Sequence, residues 1–156
     1  DMSGWSGTTP EGIGRGVALV YSFGTPVAQV IEVADRDGDI AITKAWIAAD
    51  LGLVVDPQNT EAQLFSGLAY GLSAGCFGEI TFDGGAVEQE NFPDYDAMRM
   101  PSMPAVEVAV LQEQKHMGGA GEPGTPPAAP ALANALFDLT GKRARELPLN
   151  KQFSFL

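Results

Sequence analysis

Apolar residues recur along this chain with two different periods, and the change from one to the other divides it. Residues 16–23 and 27–34 are rich in Val, Ile, Tyr and Phe, the composition of strands. The Gly24-Thr25-Pro26 break between them is short enough for a tight connection. Asp37-Gly38, within DRDGD, is a turn signal before a third strand over residues 40–48. Three strands in succession predict an antiparallel meander. A helix is then expected to begin at Asp56-Pro57, with Asp56 as N-cap and Pro57 at the first helical position, and to run to about Cys76. Leu64, Leu68 and Leu72 form its buried stripe. A second row, Gly67, Gly71 and Gly75, costs about 1 kcal/mol per residue against alanine in a helix interior, so something must approach that backbone closely. Another packed element or a bound ligand would satisfy it.

Further on, residues 79–90 read as a hairpin around Asp83-Gly84-Gly85, and residues 91–104 are irregular and punctuated by proline. Residues 105–111 alternate as a strand. A last helix over residues 128–139 turns Leu132, Leu136 and Leu139 inward and ends at Gly141, with Lys142, Arg143 and Arg145 placed for its negative end. The fold class is therefore α+β: an antiparallel strand meander with two main helices. Residues 1–14 read as a flexible polar opening, residues 15–150 as the folded body and residues 151–156 as a tail.

Composition narrows the functions available. A chain of 156 residues with 45% hydrophobic content can bury a real core. Its 19 glycines and 11 prolines sit between apolar runs, which makes it loop-rich and not disordered. Twenty acidic residues against nine basic ones give a net charge of -11, which argues against nucleic acid or an anionic membrane as partner. The single cysteine, Cys76, can form no internal disulfide and can hold no iron–sulfur cluster. No apolar run is long enough for a membrane-spanning helix. The start at Asp1, without methionine or leader, points to a processed or excised product, and the compartment, periplasmic or cytoplasmic, stays open.

The candidate chemistry lies in GGAGEPGTPP, residues 118–127, where one carboxylate, Glu122, stands among Gly, Pro, Ala and Thr. It reads either as a cap for the following helix or as a placed catalytic group. His116, with no second ligand or nucleophile near it, reads as an ordinary loop residue.

Four segments, taken in order, carry a resemblance: GRGVALVYSFGTPVAQVIEV, DLGLVVDPQNTEAQLFSGLAYGLS, QENFPDYDAMRMPSMPAVEV and GGAGEPGTPPAAPALANALFDLTGKRARELP. The chain resembles the C-terminal part of the molybdenum-binding subunit of the xanthine dehydrogenase family of molybdenum hydroxylases, in particular isoquinoline 1-oxidoreductase beta subunits and related aldehyde dehydrogenases. The resemblance implies that Glu122, in the pair Gly121-Glu122, is the general base toward a molybdenum-bound hydroxide. It implies that Gln63 contacts the pterin and that Gly121 brings its backbone close to the cofactor. The implied cofactor is a molybdenum-pterin, in its molybdopterin cytosine dinucleotide form, bound mainly by residues outside this chain. The implied reaction oxidises an aldehyde or an N-heteroaromatic compound with water as oxygen donor. The implied partners are the rest of the molybdenum subunit and a small subunit with two [2Fe-2S] clusters, and the chain alone is expected to be inactive. The competing reading is a non-catalytic docking module in which Glu122 caps a helix.

Overall fold

A computed structural model describes residues 2–156. The first three strands are β1 (Ile13–Ser22), β2 (Thr25–Arg36) and β3 (Asp39–Asp50), each antiparallel to the next. Both connections use positive-φ residues, Phe23 and Gly24 in the first, Asp37 and Gly38 in the second. The meander is therefore as expected, with each strand a few residues longer than its apolar run. A fourth strand, β6 (Ala105–Leu111), joins the free edge of β3 in parallel, so the sheet is mixed with order β1-β2-β3-β6. Parallel pairing needs a long crossover, and the intervening segment supplies it with helix α1 (Pro57–Cys76). The short ribbon β4 (Phe82–Asp83) and β5 (Ala86–Val87) is the expected hairpin, turning through Gly84 and Gly85. Two single 3₁₀ turns occupy the proline-punctuated stretch. Helix α2 (Ala128–Thr140) ends at Gly141, whose φ of 69° is the left-handed cap conformation.

One face of the sheet carries the core. On β2 the inward positions are Thr25, Val27, Gln29, Ile31 and Val33, all fully buried, and they meet Ile47, Ala45 and Ala49 of β3 in register. Leu64, Leu68 and Leu72 of α1 and Leu132 and Leu136 of α2 close over them without residual exposure. Helix α2 lies so near β1 that side chains are excluded at Gly14 and Gly16. A Cβ at Gly14 would stand 2.6 Å from that of Leu139, and one at Gly16 would collide with the α2 backbone. Cys76 belongs to this core, and burial pushes its thiol up to about 12, which leaves it as a packing group.

Helix α2 also covers part of the outer edge of β1. Asp138 accepts the Arg15 N–H there at 2.9 Å, and Asn134 donates to the Val17 carbonyl at 3.1 Å. Further along that strand, Leu19 and Tyr21 are 72% and 64% exposed. The basic residues after the helix do not serve its last carbonyls as expected. Lys142 reaches the Gln152 carbonyl and Arg143 stacks over the Phe137 ring, because both lie past the left-handed turn at Gly141 that redirects the chain. At the C-terminal end, Ser154 and Leu156 hydrogen-bond to Ile40 on either side of Phe155, so these residues are held against the start of β3.

Asp56 caps α1 as expected. Its Oδ1 accepts the Asn59 N–H at 3.0 Å and its Oδ2 accepts from the Asn59 side-chain amide at 2.7 Å. These bonds, the backbone one first, hold its carboxyl below the ordinary value of 3.8. A depressed folded pKa contributes stability above the unfolded value and loses it as pH falls through the folded one. Asp56→Ala is therefore expected to lower the thermal midpoint at pH 7. The deficit should narrow below the ordinary carboxylate value of 3.8, as read by thermal unfolding across that range.

Candidate active-site loop

The loop from Gly118 to Pro127 is held from three sides. Its first residues are tied to the sheet: the Gly118 N–H donates to the Leu51 carbonyl at 3.0 Å and the Gly119 N–H to the Phe23 carbonyl at 2.9 Å. Leu51 directly follows β3, and Asp50 before it organises the approach to the loop. The Asp50 carboxylate accepts the backbone N–H groups of Gly52, Glu113 and Gln114 at 3.0–3.3 Å. Burial acts to raise its pKa, but these donors, with help from the nearby His116, bring it below the ordinary value. His116 itself lies with Nε2 3.2 Å from the Gly24 carbonyl, a structural contact consistent with a loop residue.

Helix α1 holds the loop from the second side. A Cβ at Gly67 would stand 3.0 Å from Gly124 Cα, one at Gly71 would collide with the Thr125 carbonyl oxygen, and one at Gly75 would stand 2.9 Å from Ala129 Cβ. The glycine row of α1 is therefore a bare track against which residues 124–129 lie. Of the two explanations open from the sequence, packing against another element of the chain is the one realised. Gly124 returns the contact, because a Cβ there would be 2.8 Å from the Leu64 carbonyl oxygen.

The third anchorage comes from β2 and was not expected. Thr25 Oγ1 donates to the Gly119 carbonyl at 2.7 Å and Gln29 Nε2 to the Gly124 carbonyl at 2.6 Å. Both side chains are fully buried. The sequence pattern places Thr25 in a Gly-Thr-Pro break and Gln29 simply in a strand, and neither stands out there. A signal is nonetheless present: counting by twos back from Val33, Ile31 and Val27 puts both polar residues on the core face.

Between these anchors, Gly121 is half-buried and Glu122 exposed. Gln63 comes to meet them, its amide nitrogen 3.7 Å from where a Cβ of Gly121 would stand. Residues 58 apart in sequence, Gln63 and Gly121, thus share one surface. Glu122 is exposed, and it does not cap α2, whose N-cap position is Pro127 with no side-chain bond. A cleft of about 250 Å³ opens beside this surface, with Gln63, Asn59, Met117, Gly118 and Ala120 among its walls. No cluster of His, Cys, Asp or Glu able to hold a metal ion occurs among the described residues.

Gly121 tests whether these residues suit a large cofactor. Gly118, Gly119 and Gly124 are required by contacts inside the chain, with Thr25, Phe23 and Leu64 respectively. Gly121 is not: its φ is not left-handed, and a Cβ would meet only the far end of Gln63 at ordinary contact distance. The chain's own packing leaves bare backbone open beside an amide and a carboxylate. That arrangement fits a polar group approaching from outside.

The loop thus sets an exposed carboxylate, Glu122, next to a bare glycine that the Gln63 amide approaches, on an α+β domain. The chain belongs to the molybdopterin cofactor-binding domain family, which its residues 5–104 match. It is 31% identical over 156 residues to the beta chain of isoquinoline 1-oxidoreductase from Brevundimonas diminuta, an alignment taking in 96% of this chain and 20% of that protein. It is 32% identical over 123 residues to a nicotinate dehydrogenase subunit of Pseudomonas putida, covering 78% of this chain and 10% of the relative. The fold of quinoline 2-oxidoreductase from Pseudomonas putida 86 superposes with a TM-score of 0.63 at 19% identity, over 80% of this chain and 17% of that one. The chain thus spans one fifth or less of the length of these proteins.

Proposed function

We propose that this domain is the base-bearing portion of a molybdenum hydroxylase that oxidises an aldehyde or an N-heteroaromatic substrate, with water as the source of oxygen. The observation that supports the reading is the approach of the Gln63 amide to Gly121, the residue next to the exposed Glu122, with Gly121 left bare for no reason internal to the chain. When bound, the molybdenum-pterin supplies the oxygen-transfer and electron-accepting chemistry. Gln63 offers amide donors and an acceptor to the pterin, and Gly121 lets its backbone come close. Glu122 accepts at its carboxylate the proton released by the water that provides the new oxygen atom. No nucleophilic side chain is required, and the buried thiol of Cys76 offers none.

The cytosine dinucleotide form of the cofactor belongs to this proposal, with its distal parts held by polypeptide beyond these residues. So do the partners: the rest of a molybdenum subunit, and a small subunit with two [2Fe-2S] clusters to carry electrons away. The exposed apolar row of Leu19 and Tyr21 on β1, continued by Phe23 in the turn after it, supports a further protein surface against this domain. The docking-module reading loses its use for Glu122, since α2 starts beyond that residue's reach as a cap.

Metal and pterin analysis of the full-length subunit tests the proposal. Molybdenum near one equivalent with pterin fluorescence is expected, and protein purified without either overturns it. In the same protein Gly121→Ala is expected to cut pterin content severalfold. Because its Cβ would meet only the end of the Gln63 side chain at ordinary contact distance, the thermal midpoint should move by no more than about 2 °C.

A further inference from the structure

We propose that Thr25 and Gln29 are positioning residues, a pair of buried β2 side chains that clamp the loop on either side of Gly121-Glu122 and so set where the carboxylate stands. The inference rests on the reading of Glu122 as base. The two residues share the inward face of β2, separated by Val27 and about 13 Å apart along the strand. Their targets, the Gly119 and Gly124 carbonyls, bracket the four residues that include the Gly-Glu pair. A hydroxyl and an amide both donate here, which fixes the amide orientation: only the nitrogen of Gln29 can bond a carbonyl oxygen.

That orientation leaves Gln29 Oε1 buried without a partner among the described residues. An unmatched buried acceptor is unfavourable for folding, and an aliphatic side chain in line with Val27 and Ile31 would spare the core that burden. Stability of the sheet therefore does not account for an amide at position 29. The bond to Gly124 does. At the other end, Thr25 is equally buried, and its hydroxyl fills the space that the missing side chain of Gly118 leaves. Loop and strand are cut to each other at both points.

The test compares Thr25→Val, Thr25→Ser and Gln29→Met in the full-length subunit with its cofactor. Hydrogen–deuterium exchange over residues 118–125 is expected to quicken about tenfold in Thr25→Val and Gln29→Met, while α1 exchanges as before and Thr25→Ser stays near wild type. Turnover is expected to fall at least about tenfold in kcat in the same two variants, with KM little changed, since a displaced base weakens the reaction and not substrate binding. Unaltered loop exchange in both variants overturns the clamp, and so does faster exchange without a loss of kcat. Should Gln29→Met loosen the whole chain, Thr25→Val decides alone, because it exchanges a hydroxyl for a methyl of the same shape. The base reading is judged separately: a fully active Glu122→Gln protein removes it and leaves the exchange result standing.

Discussion

Glu122→Gln in the complete enzyme is expected to keep molybdenum and pterin near wild-type content while turnover drops by about 10²–10⁴-fold, the range that general acid–base catalysis contributes. Glutamine has the same shape and reach, so the loop and its anchors are undisturbed. It cannot take up a proton at neutral pH. Metal analysis on the purified protein, followed by steady-state rates over a range of substrate, separates loss of the base from loss of the cofactor. Near wild-type turnover in the glutamine variant would remove Glu122 from the chemistry. A variant that lost its molybdenum would instead make Glu122 part of cofactor retention.

The second large effect falls on stability. Gly71→Ala should gain about 1 kcal/mol from helix propensity alone. Its new methyl, however, would meet the Thr125 carbonyl oxygen and stand 2.7 Å from Ala128 Cβ, and backbone cannot turn aside as a flexible side chain can. Overpacking of this kind costs about 1–3 kcal/mol and more when backbone must move. The expected net result is destabilisation by about 2 kcal/mol, or a thermal midpoint lower by about 4–8 °C. Gly75→Ala should be milder, because its methyl meets chiefly the small side chain of Ala129 at 2.9 Å. Thermal unfolding of the two variants side by side measures the difference. A stabilised Gly71→Ala protein would mean that helix and loop are not in contact there.

How much of this is legible in the sequence varies with the range over which each feature acts. The three meander strands, the α1 cap at Asp56, the Leu64-Leu68-Leu72 stripe and the Gly141 terminus are set by neighbours a few residues away, and all are readable. The parallel docking of β6 on β3 is not, because a strand's period reveals which residues face inward but not beside which strand it lies. The glycine row announces a close approach without naming what approaches, since that depends on a loop about fifty residues away. The juxtaposition of Gln63 with Gly121 comes into view only through the family resemblance. Thr25 is hidden by its own surroundings: Gly-Thr-Pro has the composition of a turn, yet Thr25 and Pro26 already pair with Ser22 and Tyr21 in the first ladder rungs.

The bare track on α1 also decides how the loop bearing Glu122 can move. Contacts between long side chains can loosen by degrees as rotamers change, but backbone seated on glycine has no such slack. It is either home or detached. The loop bearing the carboxylate is keyed on one side to that track and on the other to β2, so it is ill suited to act as a gate. The Gly121-Glu122 pair therefore stands on a fixed support, seated by backbone packing on α1 and by two buried hydrogen bonds from β2.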